Sequence, residues 1–397
     1  MEPVADAPSV LLVESRVDRD QHGQAQEERA LLFSAPRRII SCREPSQVQR
    51  CLEQADEALR AGQYVAGFLS YEAGYGLHPK LAGLAQLPAT EHTLWLGVFD
   101  GVRELRGQQV AQLLAARAAG QSGAVSELRF ELGREQYRRD FAQIQGHLHA
   151  GDSYQVCHSL RSRFQVSGHP AALFDRLRAA QPTAYSALIE LDDYSIVSLS
   201  PELFFRKSQG RVLLKPMKGT LAAGQSEQDN AALAEGMRQD AKTRAENVMI
   251  VDLLRNDIGR LARPGSVRVP ELFAVERFGA VLQMTSTIVA EVEPDLGLTQ
   301  LMQALFPSGS VTGAPKLRTM EIIRELESSP RGIFCGSIGY ASPGGDACFN
   351  VAIRSLCIDR GGQAVLGVGS GVVVDSTSDA EYDECLLKAR FVTAGAG

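Results

Sequence analysis

SLSPELFFRKSQGRVLLKPMKGT, Ser198 to Thr220, carries two strand-like runs on either side of Ser208-Gln209-Gly210. A three-residue hairpin loop fits this spacing, with Gly210 supplying the left-handed conformation. In that register Lys207 faces Arg211, Glu202 faces Pro216 and Ser200 faces Lys218. Glu202 and Lys218 then share one face as diagonal neighbours, roughly 7 to 8 Å apart at the backbone. A two-residue Gln209-Gly210 turn puts them on opposite faces, and glutamine suits its positive φ poorly, so the first register is preferred. On one face the pair reads as a carboxylic acid beside an amine nucleophile. On spacing alone an exposed cross-strand ion pair is the plainer account.

Upstream of the hairpin the pattern gives helix (Arg134 to Ala150), strand (Ser153 to Gln165), helix (Pro170 to Gln181) and strands (Tyr185 to Ile189, Ser195 to Leu199). Downstream it gives a long helix near Gln228 to Arg260 and another at Ala314 to Leu326. Strands at Gly336 to Ala341, Asp346 to Ile358 and Ala364 to Val374 follow, closed by a helix from Ser378 to Val392. Residues 1 to about 125 mix strand-like pieces (Ser9 to Val13, Tyr64 to Tyr71, Thr93 to Phe99) with helices at Ser46 to Ala61 and Gln108 to Ala119. The softer AAGQSGAVSEL, Ala118 to Leu128, is the linker candidate between an N-terminal part, 1–125, and a second region, 130–394. Runs of strands between long helices predict α+β, not a doubly wound parallel sheet.

With 397 residues, 44% hydrophobic and 22% charged, the chain reads as globular. Its first thirty residues lack the basic and apolar regions of a secretory leader, and no apolar run approaches the roughly 18 residues of a spanning helix. Seven scattered cysteines without a C-x-x-C pair predict reduced thiols and a cytoplasmic protein. All seven histidines lie at or before His169, which excludes a histidine-ligated zinc or a Ser-His-Asp triad from the second half. A net charge of −6 argues against a nucleic-acid surface and leaves an anionic substrate to local cations.

Three further segments hold chemistry. In DAKTRAENVMIVDLLRNDIGRL, Asp240 to Leu261, Glu246 shares a helix face with Ile250 and Leu253; a metal ion or simple solvation accounts for a carboxylate there. FPSGSVTGAPKLRTMEIIREL, Phe306 to Leu326, runs a Gly/Ser/Thr loop into a helix whose free amides favour an anion, but without the spacing of a phosphate loop. Gly367-Val-Gly-Ser-Gly371 precedes a strand, not the helix of a dinucleotide site. In SDAEYDECLLKARF, Ser378 to Phe391, Glu381, Glu384 and Lys388 fall on one helix face, where surface ion pairing is the plain account.

Together SPELF, KPMKGT, AENVMIVDLLRNDIGRL, SGSVTGAPKLRTMEII, CGSIGY, VAIRS, and GSGVVVDS with AEYDECLLKAR resemble, in order and spacing, the chorismate-utilising enzymes. That family includes anthranilate synthase component I, aminodeoxychorismate synthase component I, isochorismate synthase and salicylate synthase. The likeness is close from about Arg134 to Arg390. GFLSYEAGYGL, Gly67 to Leu77, and the lysine of Pro216-Met217-Lys218-Gly219-Thr220 are similar to the aminodeoxychorismate branch. Anthranilate, isochorismate and salicylate synthases carry alanine at the position of Lys218, and the last two carry a lysine at that of Gln155.

The resemblance implies an anthranilate synthase component I-like fold: one large unit of two facing antiparallel β-sheets with helices outside, the N-terminal part contributing strands. It implies amination of chorismate to 4-amino-4-deoxychorismate, on the route to p-aminobenzoate and folate. Mg²⁺ held by Glu246 and Glu384 would neutralise a substrate carboxylate. Arg354, Tyr340, Lys388 and the backbone of Gly369, Ser370 and Gly371 would hold the two carboxylates, and Ser310 and Thr312 would line the ring pocket. Gln155 and Thr220 complete the implied substrate contacts. Glu202 would protonate the departing C4 hydroxyl while the uncharged amine of Lys218 attacks C2, and ammonia would then enter at C4. A separate glutamine amidotransferase subunit, component II, would deliver the ammonia.

Gln283 stands where many relatives have a histidine, and Cys157-His158 where Asn-Leu is usual. Leu11 to Ser15, LLVES, is loosely similar to the segment where relatives bind tryptophan. The alternatives are anthranilate synthase component I, which Lys218 opposes, and a degenerate scaffold, which the retention of Glu202, Glu246, Arg354, Glu384 and Lys388 opposes.

Overall fold

The computed structural model describes residues 8–14, 28–84, 91–278 and 281–393. Its strands form two large sheets in which every named pairing is antiparallel. The first sheet runs, strand by strand, through Gly313–Ala314, Gln155–Gly168, Gln363–Val372, Ser355–Asp359, Tyr194–Ser200, Tyr185–Glu190, Ser9–Glu14, Arg29–Ser34 and Arg103–Arg106. The second runs through Met217–Ala222, Val281–Glu291, Arg211–Lys215, Leu203–Ser208, Ala347–Asn350, Ser337–Ala341, Tyr64–Leu69, Leu94–Phe99 and Arg38–Cys42. N-terminal strands thus complete both sheets. The segment expected to be a soft linker is partly strand: Gly123–Val125 pairs with Val166 to Gly168. Leu11 to Glu14 lie in the first sheet, and Ser15 is outside the described residues.

Apolar packing shows the layers. Val10, Leu12, Leu31 and Phe33 of the first sheet meet Ala66, Phe68, Trp95 and Phe99 of the second in a core between the sheets. The outer face of the second sheet packs on the helices Val48–Arg60, Ala241–Gly259, Leu298–Leu305 and Lys316–Leu326. The outer face of the first packs on Gln108–Ala118, Pro170–Ala180 and Ser378–Ala389. The strands Gln155–Gly168, Gln363–Val372 and Met217–Ala222 contribute nothing to the inter-sheet core, and the polar site lies among them.

Three local features differ from the sequence reading. The helix expected over 228–260 is two helices, Glu227–Gln239 and Ala241–Gly259, because Asp240 leaves helical geometry and its carboxylate accepts from Thr243 N at 2.7 Å as an N-cap. The strand expected over 346–358 ends at Asn350 and restarts at Ser355, the chain crossing from one sheet to the other between them. The hairpin after Leu203 closes on a two-residue turn, with Ser208 opposite Arg211 and both Gln209 (φ 50°) and Gly210 (φ 70°) left-handed. A β-bulge between Leu203 and Arg206 then shifts the pairing by one residue, so that Leu203 faces Lys215. Beyond the bulge the register is the one that places Glu202 and Lys218 on a common face.

Lys316 and Asp257 form a buried ion pair at 2.6 Å, and Lys316 Nζ also donates to Leu305 O at 2.7 Å. This joins the helices Ala241–Gly259 and Lys316–Leu326 behind the loop at Gly309–Val311. Lys316→Met should lower unfolding free energy by about 3 to 5 kcal/mol, because Asp257 is left unpaired. Lys316→Met with Asp257→Leu should recover most of that in denaturant titration; a loss under about 1 kcal/mol in the single variant would contradict a structural role.

Candidate active site

The chain passes between the sheets twice at one place. Pro201 and Glu202 connect the strands Tyr194–Ser200 and Leu203–Ser208, and residues 351–354 connect Ala347–Asn350 and Ser355–Asp359. The crossings are bonded to each other: Ser200 Oγ donates to Val351 O at 2.6 Å, Val351 N to Glu202 O at 3.0 Å, and Leu199 N to Arg354 O at 3.0 Å. Glu202 and Arg354 therefore stand together where the sheets join. Arg354 takes a left-handed φ of 51°, uncommon for a side chain of its size. It is half-buried, and burial alone holds its guanidinium below the usual arginine range; among the described residues no carboxylate is paired with it.

Glu202 is 3% exposed. Burial pushes its carboxyl up to about 7, against the lowering influence of the Ser310 hydroxyl, Lys218 and Lys388. Below that pH it keeps its proton. Lys218 comes from the strand Met217–Ala222, and its Nζ donates to Gln155 Oε1 at 3.1 Å. A bulge follows at once, where Gly219 (φ 74°) meets the first turn of the helix Ala241–Gly259; a Cβ there would lie 2.5 Å from Thr243 Cγ2. Gln155 is fully buried, and the start of its strand is tied to the Lys316–Leu326 helix by a Ser153 to Thr319 hydroxyl bond of 2.8 Å. A Cβ on Gly371 would come within 3.4 Å of both Gln155 Nε2 and Lys218 Nζ. Gly371 thus leaves room where the amide and the amine converge.

Glu246 faces this group from the helix Ala241–Gly259. Burial raises its carboxyl first, Lys218 and Lys242 lower it, and Glu381 and Glu384 raise it again. Glu381 is 8% exposed and accepts from Ser376 Oγ at 2.7 Å. Glu384 pairs with Lys388 Nζ at 2.6 Å, and Lys388 also donates to Gly369 O at 2.9 Å. The Lys388 side chain is 45% exposed; the protein packed around it opposes its charge, but Glu384 carries its ammonium above the usual lysine range. Among the described residues no three Asp, Glu, His or Cys side chains are close enough to form a ready cation cage.

The remaining expected residues are placed differently. Thr312 Oγ1 donates back to Ser308 O at 3.0 Å, and Thr220 is exposed, accepting from Gln283 Nε2 at 3.3 Å. The Ser370 hydroxyl bonds Tyr137 OH at 3.0 Å on the helix side of its sheet, while Gly369 and Gly371 take the other face. Tyr340 stacks at 5.9 Å on Phe33, beside the inter-sheet core, with Cys348, Glu14 and Arg206 around its hydroxyl; none of these belongs to the group just described.

Arg331 is absent from the sequence reading. Its guanidinium is 5% exposed, forms two bonds of 2.7 and 2.8 Å to Glu327, donates to Val311 O at 2.9 Å and Cys157 O at 2.7 Å, and lies over Tyr71. It ties the back of the Gln155 strand to the back of the Ser310 loop. Burial works to raise the Glu327 carboxyl, yet Arg331 and then His158 hold it below the usual range. Glu72, which accepts from Arg331 N at 2.6 Å and Gly332 N at 3.1 Å, is pushed up to about 7 by burial. Glu327 caps the end of the Lys316–Leu326 helix and Arg331 follows in a loop beyond Pro330, so no helical spacing in the sequence announces the pair.

Aminodeoxychorismate synthase component 1 of Salmonella typhimurium is 47% identical over 259 residues, 65% of this chain and 56% of that one. The protein of the same name from Klebsiella aerogenes is 45% identical over 267 residues, 67% and 58% of the respective chains. The chain thus spans little more than half the length of these relatives. The crystal structure of anthranilate synthase component I from Streptococcus pneumoniae matches 99% of this chain and 93% of its own with a TM-score of 0.76 at 23% identity, which shows the shared fold. Residues 9–394 match the chorismate binding enzymes as a family, and to that family the chain belongs.

Proposed function

We propose that the chain is an aminodeoxychorismate synthase component I, which replaces the C4 hydroxyl of chorismate with an amino group. The observation that carries this reading is the Lys218 amine, fixed by Gln155 and within electrostatic reach of a Glu202 that holds its proton up to about pH 7. The names of the two relatives support the same branch.

In the first step the Lys218 Nζ lone pair forms a bond to C2, both conjugated ring double bonds shift by one position, and the C4–O bond breaks as Glu202 gives its proton to the leaving oxygen. Water departs. Ammonia then bonds to C4, both double bonds shift back, the C2–N bond breaks and returns the amine of Lys218, and Glu202 recovers a proton from the incoming nitrogen. General acid assistance of this kind contributes on the order of 10² to 10⁴ in rate. Arg354, without a carboxylate partner among the described residues, and Lys388 supply local positive charge for a dianionic substrate that a net charge of −6 does not attract.

Mg²⁺ fits the donor set through Glu246 and Glu384, with Glu381 beside them. Glu381 and Glu384 raise the Glu246 carboxyl without closing a cage around it, and a hard cation with oxygen ligands, completed by a substrate carboxylate, would relieve that repulsion. When bound, the ion neutralises charge on a substrate carboxylate. Ammonia comes from a separate glutamine amidotransferase subunit; the designation component 1 of the relatives supports a second component.

Chromatography of products from chorismate, Mg²⁺ and ammonium salts tests the assignment. Aminodeoxychorismate is expected, with Lys218→Ala losing most of it; anthranilate as the main product would select the other branch. For the metal, Glu246→Gln and Glu384→Gln should each raise the Mg²⁺ needed for half-maximal turnover on the order of tenfold or more. Full turnover in excess EDTA would remove Mg²⁺ from the account.

A further inference from the structure

The Cys157 side chain lies in the site, two residues along the strand from Gln155. Of the seven cysteines six are buried, and Cys157 alone is partly exposed. Its sulfur makes two contacts: Gln155 Nε2 donates to Sγ at 3.4 Å, and Sγ donates to Ser310 O at 3.4 Å. The other end of the same amide, Oε1, accepts from Lys218 Nζ at 3.1 Å. A continuous path therefore runs from the Ser310 carbonyl through the thiol and the amide to the amine. The hydroxyl of the same Ser310 lies against Glu202, so the residue at one end of the path touches Glu202 while the other end is the Lys218 amine.

The direction of this path is fixed at one end. A backbone carbonyl only accepts, so the single thiol proton is committed to Ser310 O and the sulfur lone pairs face Gln155. An amide has nearly the same shape in its two orientations and differs only in which end donates. With the sulfur as acceptor, Nε2 must turn to Cys157 and Oε1 to Lys218. In the opposite orientation two N–H donors face the amine, and the sulfur meets an oxygen with no proton between them. Oε1 in turn takes one N–H of the Lys218 amine, which limits the directions open to the rest of that nitrogen.

We propose that Cys157 is a positioning residue: its thiol sets the orientation of the Gln155 amide, which aims the Lys218 amine at the substrate. This rests on the reading of Lys218 as nucleophile. Arg331 supports the arrangement from behind, because it holds Cys157 O and, one residue beyond Ser310, Val311 O. The thiol thus links two backbone segments that are already fixed.

Cys157→Ala should lower kcat for ammonium-dependent amination on the order of tenfold, the equivalent of about 1.4 kcal/mol in the barrier, with the KM for chorismate within about twofold. Cys157→Ser keeps one donor and an acceptor and should recover to within about threefold of the parent. In a Lys218→Ala background Cys157→Ala should change the residual rate by less than about twofold, because the group it orients is gone. Unchanged kcat in Cys157→Ala, or a serine variant as slow as the alanine one, overturns the proposal. An equal loss in both backgrounds also overturns it, since Cys157 then acts independently of Lys218. Failure of the underlying reading looks different: the parent enzyme makes no aminodeoxychorismate, or Lys218→Ala is as fast as the parent.

Discussion

Two adjacent chain crossings between the sheets, at Ser200 to Leu203 and Asn350 to Ser355, are the constraint on which the site depends. A strand that leaves one sheet for another gives up its ladder partners, and its backbone groups then need other partners. Here the crossings satisfy each other through Ser200 Oγ, Val351 and Glu202 O. The cost is a left-handed Arg354, a strain of about 1 to 3 kcal/mol that the surrounding bonds hold in place. The return is a buried carboxyl and a half-buried guanidinium at one junction, neither in an ion pair among the described residues.

The second structural theme is that charge is buried to hold backbone. Arg331 with Glu327, and Lys316 with Asp257, are out of solvent, and each cation also donates to main-chain carbonyls. Pairs of this kind give little net stability compared with apolar packing, but they fix position because every donor has a directed partner. The carbonyls they hold belong to Cys157, Val311 and Leu305, the segments on which Gln155 and Ser310 are mounted. The polar groups proposed to act on substrate are therefore less paired, among the described residues, than the groups behind them. There Lys218 has one amide hydrogen bond, and Arg354 has no carboxylate partner.

Much of the fold could be read from the sequence because its elements are strongly periodic: the helices Arg134–His149 and Pro170–Ala180 and the strands around Gln155 and Gly371 lie where the pattern puts them. The failures occur where a local rule gave way. Gln209 accepts positive φ, and a bulge that no sequence pattern announces restores the face shared by Glu202 and Lys218. The sheet crossing after Asn350 is hidden because buried residues on either side continue an apolar run. Within the site, the residues with charge were legible as a set only through their order and spacing along the family motifs. Strand alternation explains why Ser370 faces Tyr137 while its glycine neighbours take the other face, toward Gln155 and Lys218. Tyr340, named through a motif, is drawn instead into packing with Phe33. Arg331 was missed because a buried arginine leaves no periodic mark.

The central claim is that substrate becomes bonded to Lys218 before ammonia arrives. Intact-mass measurement of the protein mixed with chorismate and Mg²⁺ in the absence of ammonia tests it directly. The account predicts a mass increase equal to chorismate less one water, located by peptide mapping to Lys218 and discharged on addition of ammonium. An unchanged protein mass in a preparation that makes aminodeoxychorismate once ammonium is supplied would contradict it, and would mean that ammonia attacks the ring without a lysine-bound intermediate.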